Sequence, residues 1–210
     1  MGIKLVSIDI ETTGLDPSTC DIIEFGAVLD EFVVGQELKP IEELPRFHCY
    51  ILPPEGNIYK GEPYALSMHS TIFRRIAERD QQKNKQYKFV SPHKLGNMFK
   101  NFLVENGYKK ENDRVVINVA GKNFASFDLQ FLNMKTDLKK HVEIRHRIID
   151  PAILFINSDD EKLPDTRVCK MRAGLDETVS HNSIDDAIDI IKLVRKALEN
   201  KLLGVKVWKG

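Results

Sequence analysis

Three short apolar, β-branched segments stand close together early in the chain, and a fourth lies further on between helix-like segments. They are IKLVSIDI (residues 3–10), DIIEFGAVLD (21–30), FHCYIL (47–52) and RVVINVA (114–120). The short connections favour antiparallel pairing of the first three strands. Strands that follow helical segments join such a sheet in parallel. This order predicts a mixed α/β sheet with helices on its faces.

The helical segments are marked by an apolar side chain every three to four residues. In residues 91–107, Ser91 is the N-cap candidate, Pro92 takes the first helical position and Gly107 ends the helix. Other helices are predicted at 65–79, from Phe127, from Asp165 or Thr166 to Gly174, and from Ser183 to about Lys201, with a short last strand at 147–150. A length of 210 residues suits one domain, 1–200, with a C-terminal tail, 201–210.

The cysteines and the absence of a long apolar run bear on where the protein works. Cys20, Cys49 and Cys169 are odd in number and form no CxxC pair, which argues against a disulfide framework and a thiolate zinc site. No apolar stretch approaches the roughly 20 residues that cross a bilayer, and the first residues lack a secretory pattern. We expect a cytoplasmic protein with reduced thiols and no membrane partner.

Charge is unevenly distributed, although 31 basic and 31 acidic residues cancel. Residues 9–43 carry ten acids against Lys39 alone, whereas residues 74–110 carry ten Lys or Arg against three acids. The first segment suits cations and the second suits phosphates. The same counts also fit two solvated faces that keep the protein soluble, so they leave both interpretations open.

Asp9 and Glu11 are the first candidates for a chemical site. They lie two residues apart on the first predicted strand, so both carboxylates leave one face, within about 7 Å along the chain. Carboxylates this close repel unless one is protonated or a cation lies between them, and oxygen ligands suit Mg²⁺ or Mn²⁺. Taken alone, the pattern also fits an exposed strand edge with alternating polar residues.

Three segments, in chain order, resemble the signatures of one enzyme family. DIETTGLDP (residues 9–17) resembles the first signature of the DEDDh 3′-to-5′ exonucleases, the DnaQ-like group of the ribonuclease H-like superfamily. AGKNFASFDLQFL (120–132) is similar to the second, and HNSIDDA (181–187) to the third, in which a His stands five residues before the last Asp. The resemblance covers nearly the whole chain. It departs from the family at Ser183, where Ala is usual, and at His69, where Asn is common.

The resemblance implies a fold, a metal site and roles for individual residues. The fold is a ribonuclease H-like mixed five-stranded sheet, three antiparallel strands and then parallel ones, flanked by helices. The cofactor is a pair of Mg²⁺ or Mn²⁺ ions at the spacing of two-metal phosphoryl-transfer sites. The implied metal ligands are Asp9, Glu11, Asp128 and Asp186, the general base is His181, and the substrate contacts are Thr12, Thr13, Leu15 and Asn123.

Helical geometry bears on the third signature independently. Five residues of α-helix would turn His181 and Asp186 about 140° apart, so His181 must precede the helix for both to face one site. Asp186 then lies in the first turn and faces the sheet. Asp185 and Asp189 are similar acids on the same helix, and we assign them to the helix dipole and to solvent.

The function implied by the resemblance is a metal-dependent 3′-to-5′ exonuclease. It would release nucleoside 5′-monophosphates from the single-stranded 3′ end of DNA or RNA, and a polymerase or a second copy of the chain is open as a partner. One alternative is a non-catalytic exonuclease-like module that binds nucleic acid or a polymerase. Another is an endonuclease of the ribonuclease H type on the same fold.

Overall fold

The main sheet is built from the segments that the sequence marks as strands. A computed structural model describes residues 2–33, 35–53, 58–81, 87–178 and 182–202, the side chains of 201 and 202 excepted. The strands are β1 (Gly2–Thr12), β2 (Ile22–Val33), β3 (Arg46–Ile51), β4 (Phe89–Val90), β5 (Lys110–Glu111), β6 (Arg114–Ile117), β7 (Val119–Ala120) and β8 (Val142–Ile144).

Eight α-helices lie in the described residues. They are α1 (Pro63–Met68), α2 (Ser70–Ala77), α3 (Pro92–Glu105), α4 (Asp128–Lys135), α5 (Leu138–His141), α6 (Pro151–Leu154), α7 (Thr166–Ala173) and α8 (Ser183–Leu202). Single 3₁₀ turns occur at Ile41–Glu43 and Arg79–Gln81. None of the described helices has both the length and the apolar character needed to cross a membrane.

The five strands of the main sheet follow the order β4-β3-β2-β1-β7. β1, β2 and β3 are antiparallel, while β7 lies parallel to β1 and β4 parallel to β3. A smaller sheet has the order β5-β6-β8. This topology confirms the predicted mixed five-stranded sheet, although its fifth strand is β4 and not the segment 147–150. Within that segment only Ile149 pairs, in a parallel bridge to Ala120.

The strand predicted over 114–120 is divided between the two sheets at Asn118. The Asn118 carbonyl accepts a hydrogen bond from the Val6 N–H at 2.9 Å, and its side-chain amide donates to the Lys4 carbonyl at 3.0 Å. Both bonds go to β1, so the chain leaves the smaller sheet at Ile117 and joins the main sheet at Val119. A sequence pattern of alternating apolar residues cannot show which neighbour each half pairs with.

The helix predicted over 65–79 is two helices, α1 and α2, which meet at His69 (φ −95°, ψ 23°). The other helix predictions hold. α3 begins with Pro92 after an extended Ser91, whose side chain makes no capping bond. α7 begins after Asp165, whose carboxylate accepts from the Val168 N–H, and ends at Gly174 in the left-handed conformation.

Helices cover both faces of the main sheet. One face packs on α8 through a cluster that includes Leu5, Val28 and Ile191. The other face packs on α3, where Phe25, Phe47 and Phe99 meet edge to face. The α8 contact is unusually close because a Cβ on Gly26 of β2 would lie 2.5 Å from the Ser183 backbone. The predicted tail lies outside the described residues from position 203 onward.

Candidate metal centre

Three carboxylates converge at the end of β1. Asp9 and Glu11 leave the same face of β1, as their two-residue spacing predicts, and Asp186 reaches them from the first turn of α8. One oxygen from each of the three lies within 4.8 Å of the others. All three side chains are only partly exposed. Hard oxygen donors at such distances fit a divalent cation of the Mg²⁺ or Mn²⁺ type.

Asp128 adjoins this group without being one of the three that converge. It is the first residue of α4, is 4% exposed, and its Oδ1 accepts a hydrogen bond from the Ile10 N–H at 3.2 Å. Its charge acts on Asp9 directly. The rings of Phe127 and Phe131 lie 5.1 Å apart and pack on the core, which fixes the start of α4 as the sequence predicts.

The electrostatics show how costly four nearby acids are without a cation. Burial, together with the charges of Asp128, Asp186 and Glu11, raises the pKa of Asp9 well above its ordinary value. Burial and neighbouring acids raise the pKa of Glu11 to about 8. Burial is also the first cause that raises the pKa of Asp128 to about 7 and the pKa of Asp186 to about 7. A bound cation would reverse this preference for the protonated form.

Glu24 is a buried acid beside the site that has partners of its own. It lies on β2 opposite Glu11 and is 0% exposed. Its Oε1 lies 2.8 Å from the His48 Nε2, and its Oε2 accepts from the Ser183 N–H at 2.9 Å. Burial opposes the charged form, but the hydrogen bonds from His48 and Ser183 outweigh it and lower the pKa of Glu24. Glu24 therefore connects β3, β2 and the start of α8.

His69 is the second polar neighbour of the site. It lies between α1 and α2, is 4% exposed, and its Nε2 is 3.5 Å from the Glu11 Oε2. Sequence reasoning assigned no site role to Glu24 or His69. For Glu24 the available signal was a charged residue inside the otherwise apolar segment IIEFGAV. His69 stands in ALSMHSTI, a segment with three further polar residues, and gave no comparable signal.

The end of β1 and the loop after it carry three of the predicted substrate contacts. The Thr12 Oγ1 donates to the Gly14 carbonyl at 2.7 Å. Thr13 is 0% exposed, and its hydroxyl bonds to the Lys60 carbonyl and accepts from the Asp21 N–H. Leu15 is 75% exposed. The structure thus exposes Leu15, four residues after Glu11, and buries the Thr13 side chain inside the loop.

Asn123, the fourth predicted contact, lies in the turn before α4. It is exposed, has a left-handed backbone (φ 52°), and its N–H donates to the Asp150 Oδ2 at 2.9 Å. Asn and Asp tolerate this conformation better than most side chains. Asp150 therefore fixes the turn at Asn123, which stands five residues before Asp128.

The predicted general base, His181, lies outside the described residues. Asn182 is described, and its Oδ1 accepts from the Ile184 N–H at 3.0 Å while its carbonyl accepts from the Asp186 N–H at 3.0 Å. These bonds cap the start of α8. The predicted start of this helix at Ser183 is confirmed, with Asp186 in its first turn.

The assignment of Asp189 to solvent is wrong. Asp189 is 7% exposed, and its Oδ2 lies 2.5 Å from the Nζ of Lys170 on α7, which is 4% exposed. Its other oxygen pairs with Lys192 at 3.1 Å. The helix pattern could not show this because the partner comes from another helix. Asp185, the second acid assigned to the surface, is exposed.

Comparisons with known proteins bear on the fold. No family model and no curated protein matches the sequence. Among solved structures, the chain is similar to the Neurospora crassa Pan2 catalytic unit, described as a protease and nuclease domain, with a TM-score of 0.54 and 18% sequence identity. The match covers 96% of this chain and 28% of the Pan2 chain. This likeness shows a ribonuclease H-like fold, a mixed sheet flanked by helices, as the sequence predicts.

Proposed function

We propose that this chain is a metal-dependent 3′-to-5′ exonuclease that hydrolyses phosphodiester bonds of DNA or RNA to nucleoside 5′-monophosphates. The observation that carries the proposal is the convergence of Asp9, Glu11 and Asp186, with one oxygen of each within 4.8 Å of the others. The three signatures and their resemblance to DEDDh exonucleases support it. The nuclease domain named in the description of the Pan2 unit is consistent with it.

Asp9, Glu11, Asp128 and Asp186 are the proposed ligands of two Mg²⁺ or Mn²⁺ ions. The first, second and fourth offer converging oxygens, and the Oδ2 of Asp128 is the oxygen not bonded to Ile10. The raised pKa values of all four fit a site whose charge a cation compensates. Bound ions of this type activate water and stabilise the leaving 3′-oxygen of a phosphodiester.

His181 is the proposed general base. It takes a proton from water as the water oxygen bonds to the terminal phosphorus and the bond from phosphorus to the 3′-oxygen of the preceding nucleotide breaks. An imidazole titrates near neutral pH and is suited to this transfer. His181 precedes the Asn182 cap of α8 by one residue, which keeps it near Asp186 along the chain.

Thr12, Thr13, Leu15 and Asn123 are the proposed contacts of the 3′-terminal nucleotide. The exposed Leu15 offers an apolar surface to the terminal base, and the exposed Asn123 offers an amide. Since the hydroxyl of Thr13 is engaged by Lys60 and Asp21, Thr13 acts in the proposal through the shape of its loop. The substrate is a single-stranded 3′ end.

The proposal also covers the domain organisation, the cellular environment and the partners of the enzyme. A single domain over 1–200, with 201–210 as a tail, fits the continuous sheet and its two helical layers. Three free, buried cysteines fit a reducing, cytoplasmic environment. A polymerase or a second copy of the chain is the partner that the family resemblance suggests.

The test is digestion of 5′-labelled single-stranded DNA and RNA with Mg²⁺ or Mn²⁺. An exonuclease gives a ladder shortened from the 3′ end, and a 3′-phosphate should block it because the terminal hydroxyl is seated beside Glu11. A single internal cut would identify an endonuclease. If neither polymer were cleaved with either metal, the proposed enzymatic activity would be refuted and a non-catalytic binding module would be favoured.

A further inference from the structure

A group of exposed bases borders the edge of the smaller sheet. β8 is one of the two outer strands of that sheet, and bases precede and follow it along the chain. We call the following four residues the basic edge: Lys139, Lys140, Arg145 and Arg147. All four are exposed, the first two on α5 and the others directly after β8.

The charge of the basic edge is not cancelled locally. Glu143 is the one acid between Lys139 and Arg147, and it pairs with Arg114 of β6 at 2.6 Å. Asp137, just before α5, pairs with His141 at 3.1 Å. No ion pair among the described residues involves any of the four bases of the edge. They are free to meet an anionic ligand.

The basic edge leads toward the candidate metal centre. Two residues after Arg147, Ile149 bridges to Ala120 at the end of β7. The next residue, Asp150, accepts from the N–H of Asn123, in the turn that leads to Asp128. Arg147 therefore lies about 10 Å along an extended chain from Asp150. A strand whose 3′ end is at the acids can reach the edge within a few nucleotides.

A shallow groove of about 200 Å³ opens beside the same strand. Half of its lining is apolar, from Leu129, Leu138, Val142 and Ile144. The other half is polar, from Lys139, Asn133 and the Arg114–Glu143 ion pair, in which the acid is already neutralised. Single-strand binding surfaces combine positive charge, which meets the phosphates, with side chains against which the bases lie, most often aromatic ones. In this groove those side chains are aliphatic.

The run 74–110, which the sequence offers for phosphate binding, is less suited to this role. It spreads over four elements, α2, β4, α3 and β5. Lys100 is 6% exposed and pairs with Asp113 at 3.5 Å. Arg75 donates to the Tyr50 hydroxyl and lies 5.0 Å from the Tyr87 ring centroid. The charges of Lys100 and Arg75 are thus engaged by contacts within the protein.

We infer that the basic edge is a binding surface for the upstream phosphates of a single-stranded nucleic acid whose 3′ end occupies the acidic site. The inference rests on the proposed function. It adds a location for the part of the substrate upstream of the 3′ end. It makes affinity depend on length, because only an oligonucleotide that extends past the terminal nucleotides reaches the edge.

The experiment compares two variants with equal loss of charge in an Asp9→Asn background, which keeps the substrate intact. The edge variant carries Lys139→Gln, Lys140→Gln, Arg145→Gln and Arg147→Gln. The control carries Lys88→Gln, Lys94→Gln, Lys109→Gln and Lys110→Gln, four exposed bases of the 74–110 run. Fluorescence anisotropy gives the Kd of 4-nucleotide and 20-nucleotide single strands over a range of salt.

We expect the 20-mer to bind the edge variant at least about tenfold more weakly than the control, with a salt slope reduced by about 0.7 for each lost phosphate contact. The advantage of the 20-mer over the 4-mer should shrink in the edge variant alone. Equal losses in both variants, or no loss in either, would overturn the inference. So would equally tight binding of a polyglutamate peptide, which would mark a general anion surface.

Bases beside an outer strand also protect it from pairing with other chains. If that were their only role, the edge variant would aggregate while its monomeric fraction kept wild-type affinity for the 20-mer, and this result would overturn the inference. The single reversal Arg145→Glu repeats the test with less change to folding. If the wild type bound the 20-mer more tightly than the 4-mer but cleaved neither, the proposed exonuclease activity would be refuted. The inference that the basic edge binds nucleic acid would still hold.

Discussion

Glu24 on β2 accepts a hydrogen bond from the backbone N–H of Ser183, the first residue of α8, at 2.9 Å. The other oxygen of the same carboxylate contacts His48 on β3. Because Asp186 lies three residues after Ser183, this carboxylate determines where α8 begins relative to β1. A residue that binds no metal in our proposal thus positions one that does.

We expect Glu24→Ala to weaken both folding and metal binding. It leaves the Ser183 N–H and the His48 ring without their buried acceptor, at a cost of about 1–3 kcal/mol for each group. Urea denaturation and calorimetric titration with Mn²⁺ measure the two effects. Glu24→Gln keeps one acceptor oxygen and should recover part of the affinity. Glu31→Ala, an exposed acid on the same strand, is the control.

Activity should vanish in EDTA and return with Mg²⁺ or Mn²⁺. Asp9→Asn should reduce turnover to background and weaken metal binding, since Asp9 is one of the three converging carboxylates. The matched control is Asp185→Asn, an exposed acid on α8 next to Asp186. Cleavage that resists the chelator would refute the metal model, and equal losses in both variants would show that the face of α8 is misassigned.

Without metal, stability should fall as pH rises from about 5 to 8. The pKa values of Glu11, Asp128 and Asp186 are raised to about 8, 7 and 7, above the roughly 4 of an unfolded chain. Between these values the folded state holds protons that the unfolded state releases, so deprotonation favours unfolding. Melting temperatures in EDTA at pH 5, 6, 7 and 8 measure this slope.

Saturating Mg²⁺ should flatten the same pH dependence because the ion stabilises the charged carboxylates. The double variant Asp9→Asn, Glu11→Gln should also flatten it in EDTA. A melting temperature in EDTA that stays constant or rises over this range in the wild type would contradict the close packing of the four acids.

His181→Ala should separate chemistry from binding. Because His181 is proposed as a general base and not as a ligand, the variant should have a kcat lowered by roughly 10²- to 10⁴-fold. Its metal affinity and substrate Kd should stay near wild type. Single-turnover cleavage of the variant gives the rate of the chemical step, and metal titration of the same variant gives its metal affinity. Metal affinity that falls in parallel with the rate would identify a ligand or a structural residue instead.

Asp189→Ala should destabilise the protein although Asp189 is not a site residue. It would leave the ammonium of Lys170 buried without its carboxylate, and such losses cost about 3–5 kcal/mol. Denaturant unfolding measures the change, with Asp185→Ala as the exposed control on the same helix. A loss no larger than that of the control would mean that Lys170 reaches water when its partner is removed.

Local patterns were sufficient to predict how several of the acids are placed. The spacing of Asp9 and Glu11 predicts their common face, because side chains alternate along a strand. The signatures predict the chain order of the site, and a cap before Ser183 places Asp186 in a first helical turn. These features depend on neighbours in sequence, which is why a single sequence reveals them.

The features that were missed depend on partners far away in sequence. Lys170 neutralises Asp189 from another helix, and Ser183 bonds Glu24 across a separation of 159 residues. The very short strands β4, β5 and β8 have too few residues for a periodic pattern, and they exist because longer strands lie beside them. Asn118 ends one strand and joins β1 through contacts that only the folded sheet supplies.

The buried polar contacts of α8 bear on how uniquely this helix is seated. Apolar side chains alone would tolerate a helix that slides by one turn, since a shift of about 5.4 Å along the axis presents a similar face. Arg195 on α8 pairs with Asp30 of β2 through two bonds of 2.8 Å, far from the Ser183–Glu24 bond. No slipped arrangement satisfies both. These contacts therefore act mainly by fixing the position of α8 along its axis relative to the sheet. They keep Asp186 from moving a full turn away from Asp9.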